Sequence, residues 1–173
     1  MSKTRFPAKR LAIDAVLIAM FFALSAFTVY VAGIKIGFSS LPVVLAAVVF
    51  GPVDGFLVGF LGEFLGQMLK YGFTATTLLW LIPPAVRGLL IGLACRAFRK
   101  HMSLEALLDE KKYVVYLLVC TLSAVVVSLL NTGFFYVDSL IYHYESNALV
   151  FGVLGLRIVT GVVSSLLTAI VLN

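Results

Sequence analysis

From Leu11 to Ala32 the sequence carries a single charge, Asp14, and comparable apolar stretches follow to the end of the chain. Runs of that length constrain the fold more than any other feature. A bilayer core about 30 Å thick takes about 20 helical residues, whereas a soluble core buries shorter apolar runs. Composition agrees: 62% hydrophobic and 12% charged residues leave too little polar surface for a soluble domain, in which about a quarter of residues are charged. A signal peptide could begin with the same basic residues, but the apolar run exceeds a signal's core, so it reads as a retained first helix. No polar linker or low-complexity stretch divides residues 1–173, which read as one domain.

The sequence predicts an all-α integral membrane protein of six spans. Helix 1 covers about Leu11 to Ala32, followed by a polar break from Gly33 to Ser40. Helix 2, about Leu41 to Phe50, is short for a bilayer. Gly51 to Gly55 reads as a tight turn, and helix 3 continues to about Leu69. A threonine-rich loop, Lys70 to Leu78, precedes helix 4 at about Leu79 to Phe98. Arg99 to Lys112 is a charged connection, and helices 5 and 6 cover about Tyr113 to Val137 and Leu149 to Leu172. Nine basic residues, at Lys3, Arg5, Lys9, Arg10, Arg96, Arg99, Lys100, Lys111 and Lys112, then fall on one side, against Lys35 and Lys70 on the other. The positive-inside bias places both termini in the cytoplasm. The same placement argues against reading the net charge of +5 as a nucleic-acid surface.

Ionisable groups within spans cost about 2.5–3.5 kcal/mol each on insertion scales, so each calls for a reason. Glu63 on helix 3, Arg87 on helix 4 and Arg157 on helix 6, with Asn131 on helix 5, are expected to meet about 10 Å below the outer surface, counting 1.5 Å per residue from the helix ends. Glu63 could pair with one arginine and merely fix packing. The second arginine would then leave a surplus positive charge, which a carboxylate-bearing ligand would neutralise through bidentate hydrogen bonds. Gln67 follows Glu63 by one turn on the same face. Pro83-Pro84 is expected to break helix 4 beside a cavity, with Tyr71, Thr74, Thr76, Thr77 and Trp80 supplying hydroxyls and aromatic faces. Gly55, Gly59, Gly62 and Gly66 form a small-residue stripe suited to close packing or to ligand room, and Ala15, Ala19 and Ala23 form another on helix 1. Asp14 reads as interfacial.

Catalysis finds no support. There is no phosphate-binding loop, no zinc-protease motif and no nucleophile–base pair, and His101 and His143 fall in loops on opposite sides. Cys95 and Cys120 read as packing residues without metal-ligand spacing. No cofactor is implied. A standalone channel would need a polar path through both membrane halves, and the inner halves are apolar; a ligand-free structural subunit remains open.

Phe38-Ser39-Ser40-Leu41-Pro42, leading to Phe50-Gly51-Pro52-Val53-Asp54-Gly55-Phe56-Leu57-Val58-Gly59, is similar to the helix 2–3 hairpin of the substrate-capture subunits (S components) of energy-coupling factor vitamin transporters. The chain resembles that family along nearly its whole length. The resemblance implies a protein that binds a vitamin facing outward and topples in the membrane to release it inside. It implies three partners, a transmembrane coupling subunit and two cytoplasmic ATPases. Ala15, Ala19 and Ala23 match the family's docking motif, and Gly33 to Ser40 and Lys70 to Leu78 match its lid loops. The stretch Tyr71-Gly72-Phe73-Thr74-Ala75-Thr76-Thr77 through Trp80, with Pro83-Pro84, Arg87-Gly88 and Asn131, looks like the pantothenate-type members. That implies Arg87 for the ligand carboxylate and Asn131 for its polar middle, with folate as the runner-up. Riboflavin, being uncharged, would leave the two arginines unexplained.

Overall fold

A computed structural model describes residues 8–27, 29–31, 34–98, 110–143 and 147–171. Its elements are α1 (Ala8–Ala26), β1 (Val29–Val31), β2 (Ile34–Ile36), α2 (Ser40–Val49), α3 (Pro52–Tyr71), α4 (Thr77–Ala97), α5 (Glu110–Tyr142), α6 (Asn147–Gly152) and α7 (Leu154–Val171). The architecture is helical apart from the short β1–β2 pair. Thr77–Ala97 and Val114–Tyr142 are long and apolar enough to cross a membrane by length and composition. Lys3, Arg5, Ala32, Gly33, Arg99, Lys100 and His101, on which the expected spans, lid and charge count partly rest, lie outside the described residues.

Several features differ from the sequence expectation, among them the Gly51–Gly55 turn, which is confined to Gly51 because α3 is already helical from Pro52. The first helix ends at Ala26, and Val29–Val31 pairs antiparallel with Ile34–Ile36 in the register Val29↔Ile36 and Tyr30↔Lys35. The Val-Tyr-Val and Ile-Lys-Ile triplets are β-branched and aromatic, which favours strands over a sixth helical turn. Helix α4 continues through Pro83 and Pro84 rather than breaking there. Helix α5 runs five residues past Val137, to Tyr142. The last expected span is divided at Val153 into α6 and α7, where Gly152 and Gly155 flank the break and weaken helix propensity.

Helix α2 is only 10 residues long, yet it lies between the two apolar cores. Val44 and Ala47 pack with Ile91, Cys95, Tyr116, Cys120 and Ala169. Val43 and Ala46 pack with Leu17, Phe21 and Val58. Between α3 and α4 the backbones themselves touch. A β-carbon on Gly59 would fall 2.5 Å from the Pro84 carbonyl oxygen; on the side facing α1, one on Gly62 would fall 2.6 Å from the Phe21 ring. The α3 glycine stripe therefore serves close helix approach at these positions, and none of its members lines the cavity described below.

A part-buried ion pair ties α1 to the α2–α3 corner. Gly51, with φ 108°, turns the chain, Pro52 opens α3, and Asp54 occupies its first turn, where a carboxylate suits the helix dipole. Arg10 donates from Nε to Asp54 Oδ1 at 2.8 Å, pairs with Oδ2 through Nη2, and also donates from Nη2 to the Phe50 carbonyl at 2.8 Å. Asp14, expected at the interface, is buried one turn further along α1. The Asp54 side chain is 0% exposed and that of Arg10 33%, so the two halves of the pair are unequal. Arg10→Ala strands a fully buried carboxylate and should destabilise the protein by about 3 kcal/mol. Asp54→Ala leaves a guanidinium that can turn to solvent and should cost about 1 kcal/mol. Thermal unfolding of the detergent-solubilised variants checks this order; equal losses would contradict it.

Candidate functional site

One cavity of about 440 Å³ lies between the α1–α4 side and the α5–α7 side of the bundle. Its wall includes Glu63 and Gln67 from α3, Trp80 and Arg87 from α4, Asn131 from α5 and Arg157 from α7, with Tyr71 at the end of α3. Seven of the eight side chains expected to bind ligand are therefore brought to one cavity. Thr77 is the exception. It is 0% exposed, and its Oγ1 accepts the Thr74 backbone N–H at 2.8 Å and bonds the Thr74 hydroxyl at 2.9 Å. It closes the α3–α4 turn, and Thr74 and Thr76 reach the cavity instead.

Packing fixes the levels of these groups. Gly59 lies against Pro84 and Gly88 against Gly55, so antiparallel α3 and α4 set Glu63 opposite Trp80. Ile91 and Cys95 cluster with Tyr116 and Cys120, which sets Arg87 near the level of Ala124 and Trp80 near that of Asn131. Gly161 lies against Ser128, and Ser165 Oγ donates to the Cys120 carbonyl at 2.9 Å; this brings Arg157 close to Asn131. Glu63, Trp80, Asn131 and Arg157 thus share a level. Arg87 does not. It follows Trp80 by seven residues, which places its backbone about 10 Å deeper, away from the β1–β2 end. The expectation of a single depth counted from helix ends, and those ends are staggered.

At the shared level, Gln67 Nε2 donates to Glu63 Oε1 at 2.9 Å. The Arg157 guanidinium lies over the Phe135 ring, 4.4 Å from its centroid, a cation–π contact. Below them, Arg87 is 9% exposed, and its Nε and Nη2 are buried without a hydrogen-bond partner among the described residues. An unsatisfied buried N–H costs about 1–3 kcal/mol, and more when charged. Donors of that kind on a cavity wall are suited to an acceptor-rich group.

The sequence reading missed Asp138. This carboxylate is buried and lines the cavity at the β1–β2 end, together with Tyr142. It escaped because helix 5 was ended at Val137. The spacing of Asn131, Phe135, Asp138 and Tyr142, by four, three and four, would have placed it on the cavity face. Its presence changes the charge balance. Glu63 and Asp138 now stand against Arg87 and Arg157, so the cavity wall is formally neutral rather than positive.

No stripe glycine or helix 1 alanine enters the cavity. Ala15, Ala19 and Ala23 are all exposed on the outer face of α1, opposite buried Asp14, Leu17 and Phe21. Among the described residues no group of His, Cys, Asp or Glu could hold a metal ion.

A family model described as the S component of ECF-type riboflavin transporters matches residues 5–173. A solved structure of the S component of a bacterial ECF transporter superposes with a TM-score of 0.61 at 24% identity, covering 95% of this chain and 93% of that one. At that identity the likeness speaks for the fold. No curated protein matches the chain. A family match over nearly the full length, on a helical fold shared with a solved S component, settles the assignment: the chain belongs to the ECF-type riboflavin transporter S component family.

Proposed function

We propose that this protein is the vitamin-capture subunit of an ECF importer, lying in the cell membrane with both termini in the cytoplasm and the β1–β2 end of its cavity outward. It binds a small carboxylate vitamin of the pantothenate type, whose carboxylate meets Arg87. The observation that carries this reading is the Arg87 guanidinium on a cavity wall, whose buried Nε and Nη2 have no acceptor among the described residues. A guanidinium presents a planar donor fork that matches a carboxylate. Asn131 lies above it, with both a donor and an acceptor for an amide or hydroxyl, and Gln67 is engaged with Glu63.

The partners follow from the family. A transmembrane coupling subunit would dock on α1, where Ala15, Ala19 and Ala23 present an exposed strip small enough for close helix contact. Two cytoplasmic ATPases would drive release.

A second reading is favoured by two observations. The cavity wall balances two carboxylates with two arginines, and Trp80 shares a level with the Arg157–Phe135 stack. A neutral ligand with a flat ring, such as riboflavin, would lie between those faces. The family's description names riboflavin transporters. Folate, with both a ring and carboxylates, is the third candidate.

Thermal unfolding of the purified protein against pantothenate, riboflavin, folate, thiamine and biotin decides among them, since a ligand bound only by the folded state stabilises it by RT ln(1 + [L]/Kd). A rise with pantothenate alone supports the first reading, and a rise with riboflavin alone supports the second. No rise with any of the five would overturn vitamin capture and favour a structural subunit.

A further inference from the structure

The two ends of the cavity make opposite chemical demands. At the deep end, Arg87 can only donate hydrogen bonds, so it takes acceptors. At the β1–β2 end stands Asp138, 9% exposed and seven residues beyond Asn131 on the same face of α5. An ionised carboxylate only accepts, so from a ligand it takes hydroxyl or N–H donors. Tyr71, Thr74 and Tyr142 surround this end of the cavity with further hydroxyls. Asp138 and the Arg87 level are fourteen residues apart along α5, counted from Ala124, or about 21 Å of helix rise. Only an extended ligand, side-chain reach included, can touch both. Inserted backwards, it would set its acceptor-rich end against the Asp138 carboxylate and its donors against Arg87.

Resting on the capture reading above, we propose that Asp138 is a specificity-determining residue: it receives the hydroxyl groups of the bound vitamin and so fixes which end of the ligand lies deep. Pantothenate and riboflavin both carry hydroxyls at one end of an extended molecule, so the assignment does not depend on which of them binds. It predicts discrimination against analogues lacking those hydroxyls, because Asp138 would then be left facing an apolar group.

The test pairs each vitamin with a hydroxyl-free partner, using isothermal titration of the full chain in detergent. The probes are pantothenate against the β-alanine amide lacking both hydroxyls, and riboflavin against lumiflavin, which lacks the ribityl chain. Asp138→Ala should weaken the hydroxylated vitamin by about 10–100-fold, the range of a lost hydrogen bond to a charged group, and leave the hydroxyl-free partner within about twofold of the wild-type protein. Asp138→Asn keeps an acceptor oxygen and the side-chain volume. It should show the same selectivity at about 3–10-fold, and it serves if the alanine variant does not fold. Equal weakening of both members of a pair, or of neither, would overturn the assignment to Asp138 while leaving capture intact. Failure of the wild-type protein to bind either vitamin would overturn this assignment, and failure to bind any of the five vitamins of the panel would overturn the capture reading as well.

Discussion

Arg87→Met should move the protein in two opposite directions, raising its stability without ligand and removing most of its affinity for one. The first effect follows from burial. Arg87 Nε and Nη2 are buried with no partner among the described residues, and replacing unsatisfied polar atoms by an apolar side chain of similar length removes a desolvation cost of about 1–3 kcal/mol. The second follows from the proposed contact. Losing one partner of a buried, hydrogen-bonded charge pair costs about 2–5 kcal/mol, so a carboxylate ligand should bind about 30-fold to several thousandfold more weakly. Arg87→Lys keeps the charge but not the planar fork, and should recover part of the affinity. Unliganded melting temperature and dissociation constant, measured on the same preparations, separate the two effects. A loss of both stability and affinity would make Arg87 a packing residue. The size of the affinity loss also reports on the ligand: a neutral carbonyl acceptor on the charged Arg87 would cost about 10–100-fold, so a loss well above about 100-fold marks an ionised carboxylate.

How far the site was legible in the sequence depends on which residue is considered. Glu63, Gln67, Arg87 and Arg157 stood out because polar groups within apolar runs are costly and so conspicuous. Their convergence on one cavity follows from helix faces, which spacing reveals. Depth was less accessible. The sequence gives distances from helix ends, whereas level is set by which glycine touches which carbonyl, and Gly59 on Pro84 or Gly161 on Ser128 cannot be read from one chain position at a time. The larger omission was Asp138, which two turns of the α5 periodicity would have placed on the cavity face. That omission mattered, because the inference of an anionic ligand had counted one carboxylate against two arginines. The anionic reading now rests on Arg87 itself, and riboflavin becomes a direct competitor.

The fold was legible where hydropathy decides and obscure where local chemistry does. Helices α2, α3 and α4 begin and end within a few residues of their expected limits. The end of α1 was not foreseen, since Val-Tyr-Val is as apolar as helix and only its β-branched pairing partner, Ile-Lys-Ile, turns it into strand. The Pro83-Pro84 pair misled in the other direction. Prolines cost a helix hydrogen bonds to Leu79 and Trp80, yet the tight seam with α3, in which the Pro84 carbonyl meets Gly59, holds α4 on course through them.

That seam carries the other large expected effect. A β-carbon on Gly88 would lie 2.1 Å from the Gly55 carbonyl oxygen and 2.3 Å from its carbon. Both are backbone atoms, so no side chain can rotate away and the two helices must separate. Overpacking usually costs about 1–3 kcal/mol when side chains can adjust. Here the cost of Gly88→Ala should reach at least about 3 kcal/mol, or roughly 10 °C in melting temperature for a chain of this size. Gly133→Ala is the matched control, since nothing lies within 4 Å of a β-carbon there and alanine favours the helix by about 1 kcal/mol; it should leave stability equal or higher. The consequence extends to binding, because Gly88 adjoins Arg87 while Gly55 lies on the helix that carries Glu63 and Gln67. Separating α3 from α4 shifts the Arg87 guanidinium relative to those groups, so Gly88→Ala should weaken ligand binding beyond what a stability loss alone explains. Titration well below the variant's melting temperature tests that coupling. Unchanged affinity in a destabilised but folded protein would show that the seam supports the fold without setting the geometry of the site.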